Sequence, residues 1–172
     1  MNILAISGSL RADSINSAFC RAAARLAPPP LNVLVFAGLG GLPLFNLDLE
    51  GDPPTSVMAF RAAVAQADAL LIASPEYAHG ISGSLKNALD WLVSFEGFVA
   101  KPVAVINTSA RAEIAHAALA EILRTMSAQL LLQDASQRLP LLGGSYITEQ
   151  AICASPELSL KIRHILLAMA SA

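Results

Sequence analysis

Two stretches of the chain concentrate side chains able to do chemistry. The first is Ser7-Gly8-Ser9-Leu10-Arg11-Ala12-Asp13-Ser14-Ile15-Asn16-Ser17, rich in hydroxyls and carrying one guanidinium. It follows a short apolar run, Asn2–Ile6, that reads as a buried strand, and it leads into helical spacing from Ile15 to Leu26. Free backbone N–H groups and the positive end of a helix dipole favour an anion at such a junction. Ser9, Ser14 and Asn16 add neutral donors, and Arg11 adds a forked, charged donor suited to phosphate. Together these would hold a phosphate monoester. The plainer alternative is a polar turn capped by Ser14, with Arg11 merely solvated.

Two common phosphate loops are excluded. There is no GxxxxGK followed by Ser or Thr, so no lysine reaches a triphosphate. There is no GxGxxG either, and the second apolar run ends Val35-Phe36-Ala37, without an acid for a ribose hydroxyl.

The second stretch is Ser74-Pro75-Glu76-Tyr77-Ala78-His79-Gly80-Ile81-Ser82-Gly83-Ser84-Leu85-Lys86-Asn87-Ala88-Leu89-Asp90-Trp91. Tyr77 and His79 are planar groups placed where a ring system would stack or rest its edge, and the N–H groups from Glu76 to His79 could meet carbonyls of a planar heterocycle. Gly80 and Gly83 permit turns or close approach by a ligand. Ser82 or Ser84 can cap the helix that follows. Leu89 and Trp91 are expected in the core, Lys86 and Asp90 as a helical ion pair, and Asn87 as a tether between loops. His79 is expected to hydrogen bond or fill space rather than act as an acid, since no nucleophile motif lies near it.

The elements that must position these stretches follow from periodicity. Strands are predicted over Asn2–Ile6, Leu31–Phe36, Ala69–Ser74, Lys101–Asn107 and Leu130–Leu132. Helices are predicted over Ile15–Leu26 (capped by Asp13 or Ser14), from Thr55 or Ser56 to Ala67, over Ser82–Ser94 and over Ala112–Ala128, with a fifth opening at Ser155-Pro156-Glu157. A long Gly/Pro/Leu-rich connection, Ala37–Pro54, interrupts this order, and loops of that length are usually functional. Strands as continuously apolar as Ala69–Ala73 are buried on both faces. The pattern is thus α/β, a doubly wound five-stranded parallel sheet with helices on both faces. Ligands of such sheets bind at the carboxyl ends of the strands.

Composition narrows the class further. The 172 residues suit one domain, 1–172, and 55% hydrophobic with 14% charged residues excludes intrinsic disorder. Mean hydropathy is +0.56, yet the longest apolar runs fall well short of the roughly 20 residues of a spanning helix. A net charge of −2 argues against nucleic acid. Cys20 and Cys153 show no metal or redox spacing and are expected as small buried hydrophobes in a reducing compartment. Because Met1–Ile6 runs directly into a strand, the protein is expected in the cytoplasm. His116 and His164 read as surface or half-buried helix residues, and no cluster has metal-ligand spacing.

Gly8-Ser9-Leu10-Arg11 with Ser14 and Asn16 resembles the GSLRxxSxN phosphate loop of the NADPH-dependent FMN reductase family, flavodoxin-like NAD(P)H:flavin and quinone oxidoreductases. Ser74-Pro75-Glu76-Tyr77, Gly80, Gly83 and Leu85–Trp91 are similar to its second signature, and Pro43-Leu44-Phe45-Asn46 with Asp48 to its long loop. The resemblance covers roughly residues 1–130. It implies a flavodoxin-like strand order 2-1-3-4-5 and one FMN-binding domain. Ser9, Arg11, Ser14, Ile15 and Asn16 would hold the FMN phosphate, and Pro75, Glu76, Tyr77, Ala78 and His79 would border the isoalloxazine. Two departures stand out. Ala78 replaces a frequent Asn, and Asn107–Glu113 replaces a Gly-rich turn, where Thr108 and Ser109 could still donate to the ring's pyrimidine edge and Arg111 adds a charge.

The function so implied is an FMN-dependent NAD(P)H oxidoreductase. Electrons would pass from NADPH or NADH through FMN to a small acceptor (quinone, flavin, azo compound or oxidised metal) by a ping-pong mechanism, with no side chain as an essential acid or base. The resemblance also implies a homodimer or homotetramer. The alternative is a flavodoxin-type electron-transfer or regulatory flavoprotein without NAD(P)H turnover. A flavin-free hydrolase on the same fold lacks its GxSxG elbow here.

Overall fold

Successive residues of the central strands point to opposite faces, and each face has its own core. The computed structural model describes residues 1–110, 112–131, 135–141 and 148–171. Ile3, Ala5, Leu71 and Ala104 pack into one cluster, and Leu4, Ile6, Ile72 and Val105 into the other. Two-sided burial of this kind explains why the strand runs are continuously apolar.

In chain order the strands are β1 (Asn2–Ser7), β2 (Asn32–Val35), β3 (Ala69–Ala73), β4 (Glu76–Tyr77), β5 (Gly80–Ile81), β6 (Pro102–Ile106) and β7 (Gln129–Leu130). Five of them form a parallel sheet ordered β2-β1-β3-β6-β7, while β4 and β5 make a separate antiparallel hairpin. Counting the sheet strands alone, the order is 2-1-3-4-5, as expected. Register runs straight across the middle: Ile3 lies beside Val33 on one side and Ala69 on the other.

The helices are α1 (Ile15–Leu26), α2 (Thr55–Gln66), α3 (Gly83–Asp90), α4 (Glu113–Thr125), α5 (Glu149–Ala154) and α6 (Pro156–Ala170). Helices α1, α5 and α6 cover one face of the sheet, and α2, α3 and α4 the other. Ser14, not Asp13, caps α1, and its Oγ accepts from Ser17 N at 3.3 Å. Ser82, not Ser84, caps α3 by accepting from Leu85 N. Ser155 caps α6 with Pro156 in its first turn.

Several boundaries differ from the sequence reading. The helix expected over Ser82–Ser94 ends at Asp90, with Trp91 as its C-cap, because the backbone bonds that follow tighten to i→i−3, Leu92 N to Leu89 O and Val93 N to Asp90 O. The helix expected to run to Ala128 ends at Thr125, because Ser127 adopts the left-handed φ of 61° that terminates helices. The last strand is Gln129–Leu130 rather than Leu130–Leu132, and Leu132 lies outside the described residues. The hairpin and α5 are additions that periodicity did not reveal. Cys20 is fully buried, and burial pushes its thiol up to about 12, whereas Cys153 is only partly buried. No described helix is long and apolar enough to cross a membrane.

Candidate functional site

Three loops converge at the carboxyl ends of β1, β3 and β6 and enclose a cleft of about 290 Å³. Its walls are Arg11, Ser14, Ile15, Asn16, Pro75, Glu76, Tyr77, Thr108, Ser109 and Ala112. That volume sits at the lower edge of the roughly 300–1,000 Å³ usual for small-molecule sites. Most residues singled out in the sequence therefore meet in one place. Ser9, Ala78 and His79 do not line this cleft. Ala112 does, although its plain methyl offered nothing to notice in the sequence.

The loop after β1 is held by its own hydroxyls. Ser7 Oγ and Ser17 Oγ stand 2.8 Å apart, Ser7 Oγ accepts from Ser9 N, and Ser9 Oγ accepts from Arg11 N. These short-range bonds turn the chain from strand into helix. They leave the first-turn N–H groups of α1, at Ile15 and Asn16, without a carbonyl partner by helix geometry. Ser14 uses its oxygen as an acceptor for the cap, so its O–H remains a donor. Asn16 is 3% exposed, and its Oδ1 accepts from Thr108 Oγ1 at 2.8 Å, which leaves the Nδ2 group as a donor on the wall. The Thr108 hydroxyl proton is thus committed to Asn16 rather than to a ligand's ring edge. Arg11 is exposed, and its guanidinium has no partner among the described residues.

The loop after β3 is braced differently. Pro75 leads into the β4–β5 hairpin, whose two turn residues, Ala78 and His79, both have positive φ, 49° and 59°. Glu76 is the brace. Its Oε2 accepts from Ala115 N at 2.8 Å, supplying the N-terminal acceptor that α4 lacks in its own cap residue, Ala112. Its Oε1 lies 3.2 Å from His79 Nδ1, so the imidazole folds back along the hairpin. Tyr77 is 51% exposed at the mouth of the cleft. Ser82 Oγ and Ser84 Oγ both donate to Gly8 O, which clamps the hairpin's far end to the loop after β1. A Cβ on Gly8 would stand 2.5 Å from Ser74 Oγ, so a larger residue there would have to push the Ser74 side chain aside.

The third loop begins at Asn107, whose Nδ2 donates to Ala112 O and whose Oδ1 accepts from Ser109 N. One buried asparagine thereby shapes the turn that a Gly-rich sequence would otherwise make. Arg111 lies outside the described residues.

The cleft has a donor-rich end and a flat end. At the first, hydroxyl, amide, guanidinium and helix N–H donors converge, which suits a phosphate dianion. At the second, Pro75, Tyr77 and Ala112 offer apolar surface suited to a planar ring.

This fold and site define a flavodoxin-like α/β protein with a mononucleotide-sized cleft at its strand ends. The profile of one family, NADPH-dependent FMN reductase, matches residues 1–136, and the chain belongs to that family. A 2-hydroxy-1,4-benzoquinone reductase of Burkholderia sp is 43% identical over 112 residues, 63% of this chain and 61% of that protein. An NAD(P)H-dependent FMN reductase of Pseudomonas aeruginosa is 43% identical over 114 residues, 64% of this chain and 60% of that one. The chain thus spans about 60% of the length of these curated relatives. Among solved structures, the flavoenzyme NAD(P)H:(acceptor) oxidoreductase FerB of Paracoccus denitrificans superposes with a TM-score of 0.80 at 25% identity, over 99% of this chain and 97% of that one.

Proposed function

We propose that the protein is an FMN-dependent NAD(P)H oxidoreductase, built as one domain over residues 1–172, that reduces a small acceptor of the quinone, flavin, azo or oxidised-metal kind. The observation that carries this reading is the convergence, in one cleft, of donors that have no partner among the described residues at one end and an apolar slot at the other. Arg11, Ser14, Asn16 and the first-turn amides of α1 would hold the phosphate of FMN. Pro75, Tyr77 and Ala112 would flank its ring, and Glu76 would keep the hairpin at a fixed distance from α4. Bound there, FMN supplies the two-electron chemistry between a nicotinamide nucleotide and the acceptor. The exposed position of Tyr77 leaves the mouth open to donor and acceptor in turn, hence ping-pong kinetics. His79, folded onto Glu76, is assigned no proton transfer. We also read the protein as a homodimer or homotetramer, which light scattering after size exclusion tests; a monomer at micromolar concentration rejects it.

The visible spectrum of the FMN-reconstituted protein, before and after anaerobic NADPH or NADH, tests the main reading. A flavin spectrum that bleaches supports it. A flavin spectrum that stays oxidised with both nucleotides supports the electron-transfer alternative, and a protein that takes up no FMN rejects both. Arg11→Ala should weaken FMN retention roughly ten- to hundredfold, in line with about 1.5–3 kcal/mol for a hydrogen bond to a charged group.

A further inference from the structure

A second cleft opens on the other side of the phosphate loop, between the carboxyl ends of β1 and β2. It encloses about 560 Å³ and shares Arg11 with the first cleft. None of the described residues that line it is acidic. One wall is polar and cationic, with Arg11, Ser17 and Arg21. The opposite wall is apolar, with Leu10, Phe36 and Leu39. Ser17 and Arg21 are four residues apart on α1 and so share the helix face that borders the cleft.

This is the place where a dinucleotide fold holds the adenosine half of its cofactor. There an acidic side chain at the end of the second strand takes the ribose 2′-hydroxyl, and an arginine in its stead takes a 2′-phosphate. Here β2 runs out into Val35-Phe36-Ala37, with no acid, while two arginines face the cleft. Arg21 is not locked elsewhere. Its Nε lies 3.4 Å from Glu149 Oε2 in a half-exposed pair, which holds weakly. Glu149 also has Arg25 Nη1 at 3.8 Å, so Arg21 can turn to another anion without stranding that carboxylate. Phe36 is seated against Phe60, with ring centroids 4.9 Å apart, and is only partly buried, so it presents a fixed aromatic surface.

We propose that this second cleft binds the 2′-phosphoadenosine half of NADPH, with Arg21 on the 2′-phosphate and Phe36 and Leu10 against the adenine. Arg21 thereby sets a preference for NADPH over NADH. This rests on the reading of the protein as an NAD(P)H oxidoreductase, and it places only the adenosine half of the donor beside the flavin cleft, leaving the nicotinamide half to reach the ring through the cleft mouth.

The test is calorimetric titration of the FMN-loaded protein with adenosine 2′,5′-bisphosphate and with 5′-AMP, alongside flavin reduction by NADPH and by NADH. The wild type should bind the bisphosphate at least tenfold more tightly than 5′-AMP. Arg21→Ala should remove that difference and raise KM for NADPH at least tenfold, with KM for NADH within twofold and flavin content unchanged. Ala37→Asp, at an exposed position on the cleft wall, should act in the same direction by repelling the phosphate. Equal affinity of the wild type for the two adenosine nucleotides overturns the proposal. So does an Arg21→Ala protein that loses NADPH and NADH alike, or neither. Failure of the flavin reading shows separately as the absence of a flavin spectrum, while the calorimetric arm, run on the protein without FMN, still reports on the second cleft.

Discussion

The loops after β2 and β3 lie at the same end of the sheet but are held by opposite means. The first, residues 37–54, is bolted to the core at several points. Asn87 Oδ1 accepts from Phe45 N, while Asn87 Nδ2 and Trp91 Nε1 both donate to Pro43 O at 2.9 Å. Phe45 meets the Trp91 ring edge-on at 5.0 Å, and Arg61 ties Glu50 to Trp91 O. The second loop, the β4–β5 hairpin, hangs from one carboxylate, Glu76, and from the serine clamp on Gly8. The long loop is therefore a wall anchored by α2 and α3. The hairpin is a tip braced on α4 by Glu76 and on the loop after β1 by the serine clamp, and its Tyr77 faces solvent at the cleft mouth. A loop's length says little about its rigidity. What counts is how many core side chains reach into it.

Breaking the wall should cost most. Trp91→Ala removes a fully buried ring and an anchor of the loop, and should lower unfolding stability by about 3–5 kcal/mol in urea melts. Asn87→Ala leaves Phe45 N without its acceptor and should cost about 1–3 kcal/mol. Hydrogen exchange should quicken at Phe45 and stay unchanged in the hairpin, and quickening in both loops would sink the distinction. Removing the strut should cost less. Glu76→Ala takes away the cap of α4 and should lower stability by about 0.5–2 kcal/mol, with weaker FMN retention. Glu76→Gln, which keeps an acceptor oxygen, should recover most of both. A smaller effect tests the packing of α4 behind the hairpin. Burial, reinforced by the Arg138 charge, holds His116 below the ordinary histidine range. The unfolded chain thus binds the proton first, so stability should fall as pH drops through about 6.5 and level off below the folded-state value. His116→Gln should flatten that slope in melts across pH 5 to 8. The smallest effect belongs to Lys86→Ala, which breaks the exposed pair with Asp90 and should change stability by only about 0.2–0.5 kcal/mol.

Much of the frame was legible in the sequence because it rests on local terms. Continuous apolar runs marked the buried strands, and Ser-Pro-Glu marked the start of α6. Asn87 was readable as a tether and Trp91 as core, though not the carbonyl of Pro43 that they share. The hairpin was hidden because its two turn residues, Ala78 and His79, take positive φ without the glycine or asparagine that advertises such a turn. Helix α5 was hidden because six residues are too few to show a period. The start of the first helix was legible only as Asp13 or Ser14, since either side chain can cap, and the geometry chose Ser14.

On its own, the sequence determined the alternation of strands and helices, the donor-rich loop after β1 and the family to which these belong. Nearest-neighbour sterics, capping and hydrophobic period suffice for that. Only the tertiary structure decided that the Thr108 hydroxyl would donate a hydrogen bond to Asn16, 92 residues away, or that Glu76 would cap a helix 39 residues downstream. The same holds for Arg21, which packing on the edge of the sheet turns from a helix-surface cation into the wall of a second cleft. These pairings carry no periodicity and no fixed spacing. They exist because the sheet order brings the ends of β1, β2, β3 and β6 together, and that order is a property of the packed chain as a whole.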